Sequence, residues 1–222
     1  MTFSLAVRDG ESFGSLICSS SPAVGARCVH LRDGVGAVHS QNITDPRLGV
    51  RLLDLMQAGD PAEEALRRVL ATDPTIPYRQ LVAVDSAGRT AIHSGPNALG
   101  TVGEHQANGA AAAGNMLATP DVPRRLVEGW FHAAGPIEAR LLAAFHAAMS
   151  EGGEAGPVHS AAITVVSGHG WRTTDLRVDW SDDPAAAMTE LVEIWLPQRD
   201  DYITRGEDPS HSPGYGVPGD DR

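Results

Sequence analysis

The stretch that decides the fold opens the chain: residues 2–7 read TFSLAV, Arg8-Asp9-Gly10 breaks the run, and residues 12–18 read SFGSLIC. Two β-type runs about an Asp-Gly turn predict a hairpin, which places a strand at the very start of the chain. Outward from it, residues 19–25 (SSSPAVG) read as a loop and residues 36–40 (GAVHS) as a third strand running into turn-rich QNITDPRLG. Leu48, Leu52, Leu53 and Leu55 are spaced for one helical face. A second helix follows, with Asp60 as its expected N-cap, Pro61 at its first position and Glu63 and Glu64 favouring its positive end. Arg67 and Arg68 then fall four residues after the glutamates, as on a solvated ion-pair face.

Residues 79–84 and 89–93 read as strands around Asp85-Ser86-Ala87-Gly88. The small-residue run NGAAAAGNML (residues 108–117) implies close layer packing or close approach of backbone to a ligand. Helices are expected at about 122–134 and 137–150, strands at 160–167 and 175–180, and a final helix at 184–196. Blocks of strands alternating with blocks of helices predict an α+β layered fold with mostly antiparallel sheets. Residues 1–197 read as one domain. Residues 198–222, rich in Pro, Gly and Asp, read as a tail without a core of its own.

Composition narrows the function. At 222 residues and 42% hydrophobic, the chain can bury a real core. A net charge of -11 with only 17 basic residues argues against nucleic-acid binding, which draws its affinity from Lys and Arg. Cys18 and Cys28 make neither a disulfide framework nor a zinc site, and reduced buried thiols are expected. No signal-peptide pattern and no apolar run of membrane-spanning length is present, so a cytoplasmic protein without a membrane partner is expected. The nine histidines are scattered without ligand spacing, and no metal or other cofactor is expected. The serine-hydrolase elbow, the phosphate loop and the dinucleotide fingerprint are all missing.

The start of the chain remains. Removal of Met1 is expected when a small residue follows, and it exposes a free α-amine on Thr2, which also carries a hydroxyl nucleophile. An α-amine titrates near 7.7–8.0 in model compounds, so part of it can act as general base at neutral pH. One residue then combines the roles that Ser and His share in a triad. A Met-Thr start is also common by chance, and on its own it does not establish catalysis.

TFSLAVRDGESFG, SSSPAVGARC, GVGAVHSQNITDPRLG, RQLVAVDSAGRTAIHSG, the pair Gly114-Asn115 and DLRVDW occur in order, and together they resemble a bacterial family of uncharacterised proteins, the domain-of-unknown-function 1028 family. The closing YITRGEDPSHSPGYGVPGD is similar to a tail carried by one branch of it. The family is placed among the N-terminal-nucleophile (Ntn) hydrolases. The resemblance therefore implies a four-layer α/β/β/α sandwich of two mostly antiparallel sheets, with Thr2 opening the first strand as the nucleophile.

Other site residues follow by role. Asn115 could supply an oxyanion N–H, and Gln41 and Asn42 leave the third strand at the end where such folds place their sites. The other reading for each is a turn residue bonding its own backbone. Ser19, Ser20 and Ser21 end the second strand, where related folds hold a polar contact to the nucleophile, and Ser21 is taken as a substrate contact. A proteasome-like site would show an aspartate there and a lysine soon after. This chain contains no lysine, so self-activation by the α-amine is favoured. Arg27, Asp175 and Arg177 are candidate substrate contacts; arginine matches a carboxylate bidentately, which would suit a small acidic amide. Against this, Arg177 could instead pair with Asp179 across an exposed face.

The expected activity is hydrolysis of a small-molecule amide or related non-peptide C–N bond. Two alternatives stand beside it: a hydrolytic deaminase of a small acidic metabolite, and a non-catalytic binding or assembly module on the same fold. A homodimer is expected, with Tyr202, Tyr215, Pro213 and Pro218 of the tail suited to docking on a partner subunit.

Overall fold

The opening hairpin forms around Gly10, whose φ of 61° a side chain would strain. In register, Asp9 faces Ser12 and Phe3 faces Cys18. A computed structural model describes residues 1–220. Its elements in chain order are β1 (Thr2–Asp9), β2 (Ser12–Ser19), α1 (Val24–Cys28), β3 (Val29–Arg32), β4 (Gly36–Asn42), α2 (Pro46–Gln57) and α3 (Ala62–Leu70). After these come β5 (Arg79–Asp85), β6 (Thr90–Ser94), β7 (Gly103–Ala107), β8 (Ala110–Asn115), α4 (Val122–His132) and α5 (Ile137–Ser150). The chain then runs through β9 (Ser160–Val166), β10 (Arg172–Val178), α6 (Pro184–Trp195) and α7 (Arg199–Glu207).

Ten strands form two antiparallel sheets: a six-stranded one ordered β10-β9-β2-β1-β8-β7 and a four-stranded one ordered β3-β4-β5-β6. The sequence of β1 explains how they stack. Phe3, Leu5 and Val7 point one way and join Leu126, Trp130 and Phe145 under α4 and α5. Ala6 points the other way, into a second cluster with Ala111, Ala113, Ala37, Val82 and Val84 between the sheets. Large side chains thus face the helices and small ones face the opposing sheet, which lets two sheets approach closely. A third cluster packs α2 and α3 onto the outer face of the four-stranded sheet through Leu52, Leu66, Leu81 and Val69. The result is a four-layer α/β/β/α sandwich. Each fully buried Phe or Leu in these layers contributes about 2–3 kcal/mol.

Four elements and one cap differ from the sequence reading. The helix α1 and the short strand β3 fall where the sequence reading has no element, β3 alternating apolar and polar over only four residues (VHLR); the edge strand β7 reads GEHQA, with one face open to solvent. The stretch read as a tail carries α7, which has no buried residue of its own. Its Arg199 pairs with buried Glu138 at 3.0 Å, and Tyr202 stacks on Trp195. Pro61, not Asp60, is the N-cap of α3. The Ala62 N–H is instead taken by the Asp85 carboxylate at 3.0 Å, while Asp60 pairs with Arg68. Among the described residues no helix is long and apolar enough to cross a membrane.

Candidate functional site

Strand parity gives the inter-sheet layer a gradient of polarity. On the inward faces, one end of the sandwich carries Thr2, Ser19, Asn115, Ser160, Gln41 and Gln80, all buried. Ser4, Ser15 and His39 come next, and the far end is closed by Phe13, Ala37, Val84 and Val166. Buried polar groups cost free energy unless they are partnered, so their concentration at one end calls for a chemical reason.

Thr2 is 5% exposed and lies opposite Asn115 in the register of β1 and β8. Its Oγ1 donates to the carbonyl oxygen of Met1 and lies 3.3 Å from Ser19 Oγ. Ser19 Oγ donates to the same carbonyl oxygen at 2.5 Å and accepts from the Ser21 N–H at 3.0 Å. Two hydroxyls therefore converge on one carbonyl, at the residue expected to supply the nucleophile. Ser21 supports Ser19 through its backbone, and its carbonyl accepts from Ser160 Oγ at 2.6 Å.

Behind Thr2 runs an amide network. Asn115 Nδ2 and Gln41 Nε2 both donate to Gln80 Oε1, at 3.0 and 2.8 Å. Gln80 Nε2 in turn donates to Ser94 Oγ at 2.7 Å and to the Gly114 carbonyl at 3.0 Å. Asn115 Oδ1, Gln41 Oε1 and Ser4 Oγ are buried without a partner, leaving acceptor capacity beside Thr2. Because an Asn115 N–H is spent on Gln80, the donor best aimed at a carbonyl next to Thr2 is Ser19. Farther along the layer, His39 Nε2 bonds Ser15 Oγ at 2.7 Å, and burial holds its pKa down at about 3, so the ring is neutral.

A carboxylate that sequence reasoning missed completes this end. Glu154, 4% exposed, takes the Ser20 N–H on both oxygens at 3.2 and 3.3 Å. Burial pushes its pKa up to about 7, opposed by the nearby α-amine of Met1. Glu154 sits in the sequence GGEAG, where no periodicity marks it. It reaches the site only because the segment after α5 bridges to Leu117.

The remaining sequence candidates lie elsewhere. Asn42 has a φ of 68°, donates to the Tyr78 carbonyl at 2.6 Å and accepts from the Leu99 N–H at 3.2 Å, which is the turn role. Arg27 donates to the Pro22 and Ala23 carbonyls of its own turn. Arg177 pairs with Asp179 at 2.7 Å and Asp175 with Arg172 at 2.8 Å, both on the edge strand β10, three strand positions from β1. Each of these guanidinium groups thus already has partners, Arg177 and Arg172 in carboxylates of β10 and its end and Arg27 in backbone carbonyls. Among the described residues no group of three or more His, Cys, Asp or Glu side chains is placed to hold a metal ion. A cavity of about 540 Å3 opens at the far end, lined by Arg8, Glu11, Phe13, Asp33 and Ser86 among others. Open volume points to that end; the paired hydroxyls and the buried carboxylate point to Thr2, and chemistry is the better guide.

No curated protein matches the chain. Among solved structures it is similar to the crystal structure of protein SPO2555 from Silicibacter pomeroyi, itself assigned to DUF1028. The two are 26% identical with a TM-score of 0.84, covering 92% of this chain and 94% of that one. A fainter likeness, with a TM-score of 0.42 at 10% identity, is to Anbu (ancestral beta-subunit) from Yersinia bercovieri, covering 97% of this chain and 100% of that one. The family model for DUF1028, described as a family of unknown function, matches residues 2–188, and the chain belongs to that family.

Proposed function

We propose that the protein hydrolyses a C–N bond in a small amide, with Thr2 as an N-terminal nucleophile once Met1 has been removed. The observation that carries this reading is the convergence of Thr2 Oγ1 and Ser19 Oγ on one carbonyl oxygen. In the proposed reaction the Thr2 α-amine takes the Oγ1 proton as Oγ1 bonds to the substrate carbonyl carbon. Ser19 Oγ–H holds the oxyanion that forms on the carbonyl oxygen. The proton then passes from the α-ammonium to the leaving nitrogen, the C–N bond breaks, and an acyl ester remains on Thr2. Water attacks that ester, giving a proton to the α-amine; the α-ammonium returns it to Oγ1 as the Oγ1–C bond breaks, so the acid leaves and Thr2 is restored. The unpartnered Asn115 Oδ1 is available to orient the amine.

An intact mass of the purified protein, before and after exposure to a β-lactone, tests this. Loss of methionine together with one adduct on Thr2, absent in Thr2→Ala, supports the nucleophile. Protein prepared with Thr2 first that takes no adduct leaves a binding module as the better account.

A further inference from the structure

In the structure a methionyl group occupies the place where the proposed reaction would put its acyl group. Its carbonyl oxygen accepts from Thr2 Oγ1 and, at 2.5 Å, from Ser19 Oγ. Its side chain lies over Gly156: a Cβ built there would meet Met1 Cε at 3.4 Å and Sδ at 3.7 Å. Its α-amine partly offsets the rise that burial gives the pKa of Glu154 and of Cys28. Met1 thus stands in for an acyl group with a carbonyl on the nucleophile, an ammonium one carbon away, and a side chain on an open glycine.

We propose that the space Met1 fills is the acyl subsite, and that buried Glu154 makes it take acyl groups carrying an ammonium beside the carbonyl, as in α-aminoacyl amides. This rests on the hydrolase reading and names its substrate class. Once Met1 leaves, Glu154 keeps the Ser20 N–H among the hydrogen-bond donors described, and the freed Thr2 α-amine, which the reaction needs unprotonated as its base, is not a lasting counter-ion. A buried carboxylate held by a single donor is stable when it stays protonated or gains a cation, and a substrate ammonium supplies one where Met1 carried its own. A carboxylate-bearing acyl group would instead set like charges together, and the Arg177 guanidinium is already paired with Asp179.

The test uses protein produced with Thr2 as its first residue, verified by intact mass and titrated calorimetrically with alaninamide, its desamino counterpart propionamide, and succinamate. Alaninamide is expected to bind at least about ten-fold tighter than propionamide, and Glu154→Gln to erase that margin. Gly156→Leu refills the space without touching Glu154 and is expected to weaken alaninamide at least about ten-fold. Equal binding of alaninamide and propionamide, tightest binding of succinamate, or a margin that survives Glu154→Gln overturns the proposal, as does undiminished binding to the leucine variant. β-Lactone labelling of Thr2 is scored separately. A labelled Thr2 without an ammonium preference keeps the hydrolase and removes the subsite, whereas a preference without labelling removes the hydrolase and keeps the subsite for binding.

Discussion

The two ends of the inter-sheet layer are built from the same strands and end in opposite chemistry. At the Thr2 end, hydroxyl and amide side chains from β1, β2, β4, β5 and β8 meet in a network that still leaves acceptors unpartnered. At the far end, Phe13, Val84 and Val166 close the layer, and the hairpin turns beyond them frame a cavity of about 540 Å3. There Asp33 is occupied with a turn, accepting from the Gly168 and Gly170 N–H groups, each at 2.8 Å, while Arg8 Nε is buried without a partner. The difference separates two things often read together. Open volume here marks where turns diverge, whereas reactive capacity lies where buried polar groups were retained against their desolvation cost.

If the far end is a structural plug, its largest side chain should matter for stability and not for chemistry. Phe13→Ala is expected to cost about 3–5 kcal/mol in urea unfolding, with β-lactone labelling of the folded fraction unchanged. A drop in labelling at constant folded fraction would break the separation of the two ends. Ser19→Ala should show the converse. Losing one oxyanion donor is expected to slow labelling or turnover about 10²–10³-fold, while stability moves by only about 1 kcal/mol. Labelling at the wild-type rate would remove Ser19 from the chemistry.

The polar end also carries two titrating groups that pull stability in opposite directions. Glu154 releases its proton near the model value of 4.5 in the unfolded chain and near 7 in the fold. The folded state therefore holds more protons between those values, and stability falls as pH rises through that window, by at most about 3 kcal/mol. Burial raises it, while the Met1 amine and hydrogen bonds from Ser20 pull the other way. His39 stays neutral in the fold down to about 3 against 6.5 unfolded, so its contribution is lost as pH falls through that range. Urea midpoints of wild type and Glu154→Gln at pH 5, 7 and 8 isolate the first effect. The variant should gain on wild type as pH rises from 5 to 7 and no further, and a gap independent of pH would show that Glu154 is not held protonated by burial.

How much of this was legible in the sequence depended on whether a residue's surroundings are local. The β1–β2 hairpin was readable because Gly10 and the flanking runs carry it alone. Thr2, Gln41 and Asn115 were readable because each is a polar residue at the end of an otherwise apolar or small-residue strand. Gln80 has the same signature in RQLVAVD and could have been found by it. Glu154 could not, because its burial is created by β1, β2 and a loop distant in sequence. Ser19, Ser20 and Ser21 read together as the place of a polar contact to the nucleophile; in a run of three serines only the strand register, Ser19 facing Ser160, decides which one points inward. β7 escaped because an edge strand with one wet face needs few apolar residues.

The smallest effect discriminates between the carboxylate expected from the sequence and the ammonium inferred from the structure. Arg177 was attractive because arginine recognises carboxylates, yet its guanidinium is partly exposed and already bonded to Asp179 through two nitrogens, at 3.2 and 2.7 Å. Exposed pairs of this kind are worth about 0.2–1 kcal/mol, so Arg177→Ala should shift stability by less than about 1 kcal/mol. On the ammonium reading it should leave Thr2 labelling and alaninamide binding at wild-type levels. A several-fold loss of succinamate binding in Arg177→Ala would instead mean that the ion pair opens to receive a carboxylate. The edge strand β10, and not the pocket beside Glu154, would then set what this end of the sandwich accepts.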